Sequence, residues 1–476
     1  MNEGGTQPMR FNGSFITAFA VSLLVAACSQ QVDLPTDTEP PTSSEPPVVT
    51  NPDPTPPDTQ TPPPTPNDPP AVSVNGVPQT LDLETPVEVW WASHPYNPES
   101  PNFIPVGGIQ SPDPVLNVRD EFGGNIQAAI DALPASGGTL YFPPGTYGGN
   151  WTLVGKSNVH FISDGGAVLT GVGFVVGCTD AIDYQRLMER VRVEKNPDAI
   201  NCVTDGRIEN IYFKNLTFDG GGTQLLAITI RAARQVLFDN VTFQNYRDPG
   251  NYHRGLINAT AWVDDIWVRD SRFLGSERWA VYFDGCFACG VIGSEIAGNF
   301  GNGGLLILTN QDADFDINGD GIFQENEIRQ ANHIVVANNT FGGLHQGIQI
   351  TGKDALVVGN TATADQAIFV QFSAKCDQVN PNAGIHSVFN NLRVENNRVA
   401  GVNAFVRVNA YPDGCGSGNT MEIGGYYVAG NTVERFYGTN PGLVVEVSGP
   451  IVDPRVITDN LCGGVACDNQ VRALAE

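Results

Sequence analysis

The residues with the most demanding spacing are Asp316, Asn318, Asp320, Gly321, Ile322, Gln324 and Glu327, within the stretch "DADFDINGDGIFQENEIRQ" (312–330). They match the pattern D-x-[DN]-x-[DN]-G-x5-E. That pattern supplies side-chain oxygens at alternate positions, a backbone carbonyl from Ile322, a glycine for the sharp turn and a terminal Glu that can close on a hard cation with both oxygens. An overlapping register from Asp314 to Glu325 also fits, but it puts Gly321 where a hydrophobic residue follows the carbonyl ligand, a place that Phe323 fills in the first register. The expected ion is Ca2+. A calcium sensor flanks such a loop with two helices whose angle changes, whereas "GGLLILT" before it and "HIVVANN" after it alternate as strands. The loop therefore reads as a staple inserted between strands.

Chemistry on a sugar chain needs other groups. Hydrolysis of a glycosidic bond uses a proton-donating carboxyl and a second carboxylate, about 5–9.5 Å apart. Asp284, in "RWAVYFDGC", is the carboxylate best placed on a strand, and Asp312 or Asp354 would have to partner it. Elimination from a uronate uses a cation to neutralise the sugar carboxylate and a base to remove the neighbouring proton. Arg254, His345, Lys353 and Arg407 have the right chemistry, with Asp284, Arg254, His345 and Lys353 as the candidate catalytic set. Tyr282, Arg231, Gln349, Gln371 and Arg407 are the candidate substrate contacts, because aromatic, amide and guanidinium groups suit sugar faces and hydroxyls. The same residue types also decorate solvated strand faces, so their arrangement has to decide.

These residues ride on a loose repeat. "IYFKNLTF" (211–218), "VLFDNVTF" (236–243), "IWVRDSRF" (266–273), "IVVANNTF" (334–341), "LRVENNRV" (392–399) and "YYVAGNTV" (426–433) recur at unequal intervals, which marks a solenoid rather than a propeller of uniform blades. Alternating apolar residues point into a shared interior, and an Asn or Asp marks the turn where a left-handed conformation is needed. A second strand precedes most motifs, as in "AITIRAA", "AVYFDG", "LLILTN", "GIQITGK", "AIFVQFS", "FVRVNAY" and "LVVEVSG". Its alternate positions carry the sugar-directed residues outward. One coil cannot bury its own apolar stripe, so the fold exists only as a stack closed by a cap. The cap is predicted in "GGNIQAAIDALPASGGTLYFPPGTY", where Ile126, Ile130 and Leu133 share a helical face before Pro134 and Gly137-Gly138 end the helix.

The rest of the chain bounds the setting. Arg10 precedes "FITAFAVSLLVAAC", an apolar run too short to span a bilayer, so residues 1–27 read as a secretory signal. Val25-Ala26-Ala27-Cys28 resembles a bacterial lipobox, which makes Cys28 the lipidated mature N-terminus and the N-terminal lipid the only expected membrane attachment. Residues 28–70 are a Pro/Thr-rich spacer that cannot bury a core, and 71–112, with "VEVWWASHPYNP", are expected to form a strand-containing lead-in. A formal charge of −26, from 25 Lys+Arg against 51 Asp+Glu, excludes nucleic acid as a partner. Removing Cys28 leaves an even set of cysteines in an oxidising compartment. Sequence does not fix the pairing; local pairing would be Cys178–Cys202, Cys286–Cys289, Cys376–Cys415 and Cys462–Cys467, with Cys286-Phe-Ala-Cys289 a structural bridge in the absence of a thioredoxin-like context.

From about residue 113 to the end, the "GGTLYFPPGTY" segment, "SNVHFISDGGAVLTG" and the repeats resemble the right-handed parallel β-helix proteins of the pectin-lyase-like superfamily. The resemblance implies an all-β solenoid over 113–476 with an N-terminal capping helix, and a substrate groove along the outer face of one sheet. It also implies that turn asparagines stack as a ladder, a column into which Asn339, Asn360, Asn397, Asn431 and Asn460 can be placed. Superfamily members are polysaccharide lyases, glycoside hydrolases, epimerases and binding proteins, so the fold does not choose among them. The paired-aspartate and Gly-His-Gly motifs of polygalacturonases are missing, with "GLHQG" at His345 a faint echo; the Arg spacing of pectate lyases and the Asp-Pro-His-Asp of alginate epimerases are missing too. The expectation is an exported, lipid-anchored protein of the cell envelope whose calcium-stapled β-helix acts on a polysaccharide, an acidic one by preference, by elimination or hydrolysis. A non-catalytic glycan-binding or adhesin module is the alternative.

Overall fold

The computed structural model describes residues 85–473 except 172, 178–207, 223–225, 248–254, 261–262, 275–278, 298–302, 309–330, 343–345, 376–390, 412–424, 438–442 and 449–454. The calcium loop, Arg254, His345, Asp312 and Cys28 lie outside the described residues, as do Cys178, Cys202, Cys376 and Cys415. The chain is an all-β, right-handed parallel β-helix. Among the described residues every strand pairing is parallel except the small hairpin of Leu461–Cys462 with Val465–Ala466. Each coil contributes to three sheets. Sheet A holds the repeat-motif strands, such as Asp264–Arg269 and Ala331–Ala337. Sheet C holds the short strands that follow the turn, such as Arg272–Leu274 and Thr340–Phe341. Sheet B holds the second strands, Ile228–Ile230, Gly255–Ala259, Trp279–Asp284 and Gly303–Leu308, then parts of the long strands Gln346–Val358, Thr361–Lys375 and Arg398–Tyr411.

In-register parallel strands repeat roughly every 4.8 Å, so identical residue types stack. Trp151, Phe161, Phe213 and Phe238 form one interior pile with ring centroids 4.9, 4.8 and 4.7 Å apart. The cap forms as expected: the helix Ile126–Ala132 buries Ile126 and Ile130, with Leu133 just beyond its end. Asn125 caps it by accepting from the Ala128 amide at 3.1 Å. Lys156 closes the other end, donating to the carbonyls of Ile130, Asp131 and Leu133 at 2.7, 3.0 and 2.7 Å, which satisfies oxygens a helix terminus leaves orphaned. No helix among the described residues is long and apolar enough to cross a membrane.

The ladder also forms. The Asn339 amide donates to Asn360 Oδ1, Asn360 to Asn397 Oδ1 and Asn397 to Asn431 Oδ1, each at 2.9 Å, and Asn431 to Asn460 Oδ1 at 3.0 Å. All five side chains are buried. The column runs further than the asparagines suggest, because Ser294 and Ser271 continue it through Ser294 N to Asn339 Oδ1 (2.9 Å) and Ser271 N to Ser294 Oγ (3.0 Å). The left-handed position is the residue before each rung. Asn338 sits there at φ 56°, and a Cβ on Gly359 in the next coil would fall 2.3 Å from Asn338 Oδ1, so glycine is needed at that step.

The lead-in departs from expectation. Where "VEVWW" suggests strands, the described part, 85–112, holds the helix α1 (Val87–Ala92) and turns, lying along the outer face of sheet A. Trp90, Trp91, His94 and Tyr96 gather around Trp267 with ring centroids 6.0, 5.8, 4.6 and 5.9 Å away. That contact outweighs local β-propensity. Glu88 pairs with Arg393 at 3.1 Å, and the Thr85 carbonyl meets His333 Nε2 at 2.7 Å. Between these ends, buried Arg269 grips Asp239 through two 2.9 Å bonds and donates to the carbonyls of Ile104 and Pro105, while Tyr212 donates to Asp239 Oδ2 at 2.6 Å.

Beneath this strap Asp265 accepts from Trp267 Nε1 at 2.6 Å, and burial pushes its carboxyl up to about 7. A pKa higher in the folded state means stability that is fully present below the unfolded value near 3.8 and is lost as the pH rises through about 7. Relative to Asp265→Asn, the wild type should therefore lose a few kcal/mol between about pH 4 and pH 8. Thermal melts of both proteins across that range check it; a pH-independent difference would contradict it.

Candidate functional site

Sheet A is covered by the strap over Tyr212, Leu237, Trp267 and Leu356. Sheet C carries exposed ion pairs such as Arg272–Glu295 (2.7 Å) and Arg398–Glu434 (2.8 Å), of the kind worth less than about 1 kcal/mol. Of the candidate residues, Tyr282, Asp284, Gln349, Gln371 and Arg407 lie on sheet B, with Arg231 one residue past the strand Ile228–Ile230. Its register links Thr229 to Asn258, Asn258 to Tyr282, Tyr282 to Leu306, Leu306 to Gln349, Gln349 to Gln371 and Gln371 to Arg407. The partners that alternate with them, from Ile257 and Val281 to Val370 and Val406, lie in the core, so this column points outward. Tyr282, Gln349, Gln371 and Arg407, chosen separately by residue type, thus share one column along the axis.

A second outward column runs beside it. Asp284 pairs with Leu308 and Leu308 with Thr351. Arg231 and Thr260 each stand one residue beyond the paired Ile230 and Ala259, so they continue the same register on the two preceding coils. Arg231 and Asp284 are therefore in line with Thr260 between them. Arg231, Asp284, Gln349, Gln371 and Arg407 are partly exposed, while Tyr282 is covered, packed with Trp279, Leu306 and Leu308. Gly303 makes room for Trp279: a Cβ there would lie 2.5 Å from the indole.

Two expected members fall elsewhere. Lys353 pairs with Asn332, so it lies past the corner at the start of sheet A. Asp354 is there too, at φ 49°, accepting from Asn391 at 2.8 Å. Among Thr229, Asn258, Tyr282, Leu306, Gln349, Gln371 and Arg407 none is an Asp or Glu, so the described part of this column holds no carboxylate pair of the glycosidase kind. Among the described residues no group of three or more His, Cys, Asp or Glu could hold a metal.

Residue-type reading passed over Thr229, Asn258 and Thr260. Asn258, in "GLINAT", occupies the same outward place as Tyr282 in "AVYFDG", so aligning the second strands would have found it. The Cys286–Cys289 bridge forms just past Asp284 with both sulfur-bearing residues in the core, and Cys462–Cys467 forms in the last coil.

No protein-family model and no curated protein sequence matches the chain. Among solved structures it is similar to the surface protein and adhesin PfbA of Streptococcus pneumoniae, with 15% identity over 76% of this chain and 100% of that one and a TM-score of 0.50. It is also similar to the tailspike protein of the E. coli bacteriophage HK620, solved with a pentasaccharide (16% identity, 74% and 63% covered, TM-score 0.42). A third similar structure is an exopolygalacturonase from Thermotoga maritima (12% identity, 74% and 93% covered, TM-score 0.39). At these identities the likeness concerns the fold alone, a right-handed parallel β-helix.

Proposed function

We propose that this protein binds a polysaccharide laid along sheet B, held at the cell envelope by the lipidated Cys28 and the 28–70 spacer. The observation that carries the reading is the outward column Thr229–Asn258–Tyr282–Leu306–Gln349–Gln371–Arg407, flanked by Arg231 and Asp284. The partly exposed amides of Gln349 and Gln371 and the guanidinium of Arg407, spaced by one coil, with Arg231 and Asp284 beside the column, suit a chain of repeated hydroxylated units. PfbA, whose fold this chain shares, is described as a surface adhesin, which accords with a surface location here. Cleavage would require Arg254 or His345, or Asp312 as a second carboxylate, to join this face, and all three lie outside the described residues. Binding of the full chain to a panel of plant, algal and bacterial polysaccharides tests the proposal, and binding to none of them would refute it.

The calcium loop, Asp316 to Glu327, is assigned to stability. In the sequence it follows "LLILTN", whose strand Gly303–Leu308 pairs with the strand of Asp284. Chelation is expected to lower the melting temperature, and Asp316→Ala to do the same without chelator. An unchanged melt in both cases would remove the staple; loss of glycan binding with an unchanged melt would move the ion to the site instead.

A further inference from the structure

Asn258 is only 7% exposed, yet among the described residues its Oδ1 has no hydrogen-bond partner. Leaving a buried acceptor unsatisfied costs about 1–3 kcal/mol. Leu or Val at this position would avoid the cost, as Leu306 does two coils on in the same column. The unsatisfied atom stands in a defined place. Thr229 precedes it and Tyr282 follows it in one outward column, and Arg231, Thr260 and Asp284 stand at matching heights in the next. These six polar side chains occupy three consecutive coils and two columns, before the apolar pair Leu306 and Leu308 begins.

We infer that Asn258 is a recognition residue: its side-chain amide accepts a hydrogen bond from a sugar hydroxyl seated between the coils of Thr229 and Tyr282. The inference rests on the polysaccharide reading above and gives it a specific subsite. Neutral amides that lack one partner discriminate strongly, because a ligand without the matching hydroxyl leaves the cost in place.

The test uses the full chain, with polygalacturonate, alginate and arabinoxylan as probes, titrated calorimetrically against wild type, Asn258→Leu and Asn258→Ala. The leucine variant removes the orphan acceptor while keeping the bulk, and the alanine variant removes it without risk of overpacking. Both are expected to bind at least tenfold more weakly than wild type, with the leucine variant melting at the same or a higher temperature. Wild-type binding that both variants match would overturn the subsite alone, the acceptor then serving an ordered water only. Failure of the wild type to bind any probe would overturn the polysaccharide reading and the subsite with it.

Discussion

Replacing Arg269 with methionine is expected to destabilise the protein by about 3–5 kcal/mol, the usual cost of removing one partner from a buried ion pair. The side chains of Arg269 and Asp239 are 2% and 0% exposed, so the remaining carboxylate would have no solvent to turn to. Burial opposes the charge of Arg269, but the hydrogen bonds and charge of Asp239 outweigh it and hold the guanidinium above its ordinary value. The same substitution frees the carbonyls of Ile104 and Pro105 and removes the cation that lies 5.1 Å over the Tyr96 ring. The strap should therefore loosen first. Limited proteolysis should cut within 85–112 in the variant and spare the wild type, and the melt should fall. The double variant Arg269→Met/Asp239→Leu should recover much of the loss, because the uncompensated charge disappears with its partner. A single variant within about 1 kcal/mol of wild type would contradict the clasp.

Asp284→Asn is expected to leave the melt unchanged and to weaken polysaccharide binding tenfold or more. The residue ends its strand on the outer side and is partly exposed. A carboxylate accepting from sugar hydroxyls makes charge-assisted bonds about twice as strong as those of an amide of the same shape. Arg407→Ala, four coils along from the strand of Asp284 by the Tyr282 column and roughly 19 Å further on the axis, should weaken long chains in the same way. Short oligosaccharides that reach only one of the two positions should feel only one of the two substitutions. If the wild type also releases cleavage products, their loss in Asp284→Asn with binding retained would make Asp284 part of the chemistry.

Much of this arrangement was legible because a solenoid writes its geometry into local pattern. The asparagines of the ladder announce themselves, since a turn amide can satisfy its neighbour's backbone; Ser271 and Ser294 do the same through a hydroxyl and look ordinary in sequence. Outward positions on sheet B followed from strict alternation, which is why Tyr282, Gln349, Gln371 and Arg407 fell into one column. What alternation does not reveal is which coils are neighbours across the corner. Ladder bonds join residues 21, 37, 34 and 29 apart, so coil length varies too much for Lys353 or Asp354 to be placed against Asp284 in advance. The lead-in misled for another reason. "VEVWW" alternates like a strand, but its indoles are fixed by Trp267, a residue far along the chain, which fits because Gly290 leaves space beside its ring.

The most direct measurement is the affinity of the full chain for whichever panel polysaccharide it binds, compared across Asp284→Asn, Arg407→Ala and Arg398→Ala. The first two stand on sheet B, and Arg398 lies in an exposed ion pair on sheet C. Binding along sheet B predicts that the first two weaken by tenfold or more while Arg398→Ala matches the wild type. Affinity unchanged by Asp284→Asn and Arg407→Ala, or lost with Arg398→Ala, would place the ligand elsewhere and contradict the account.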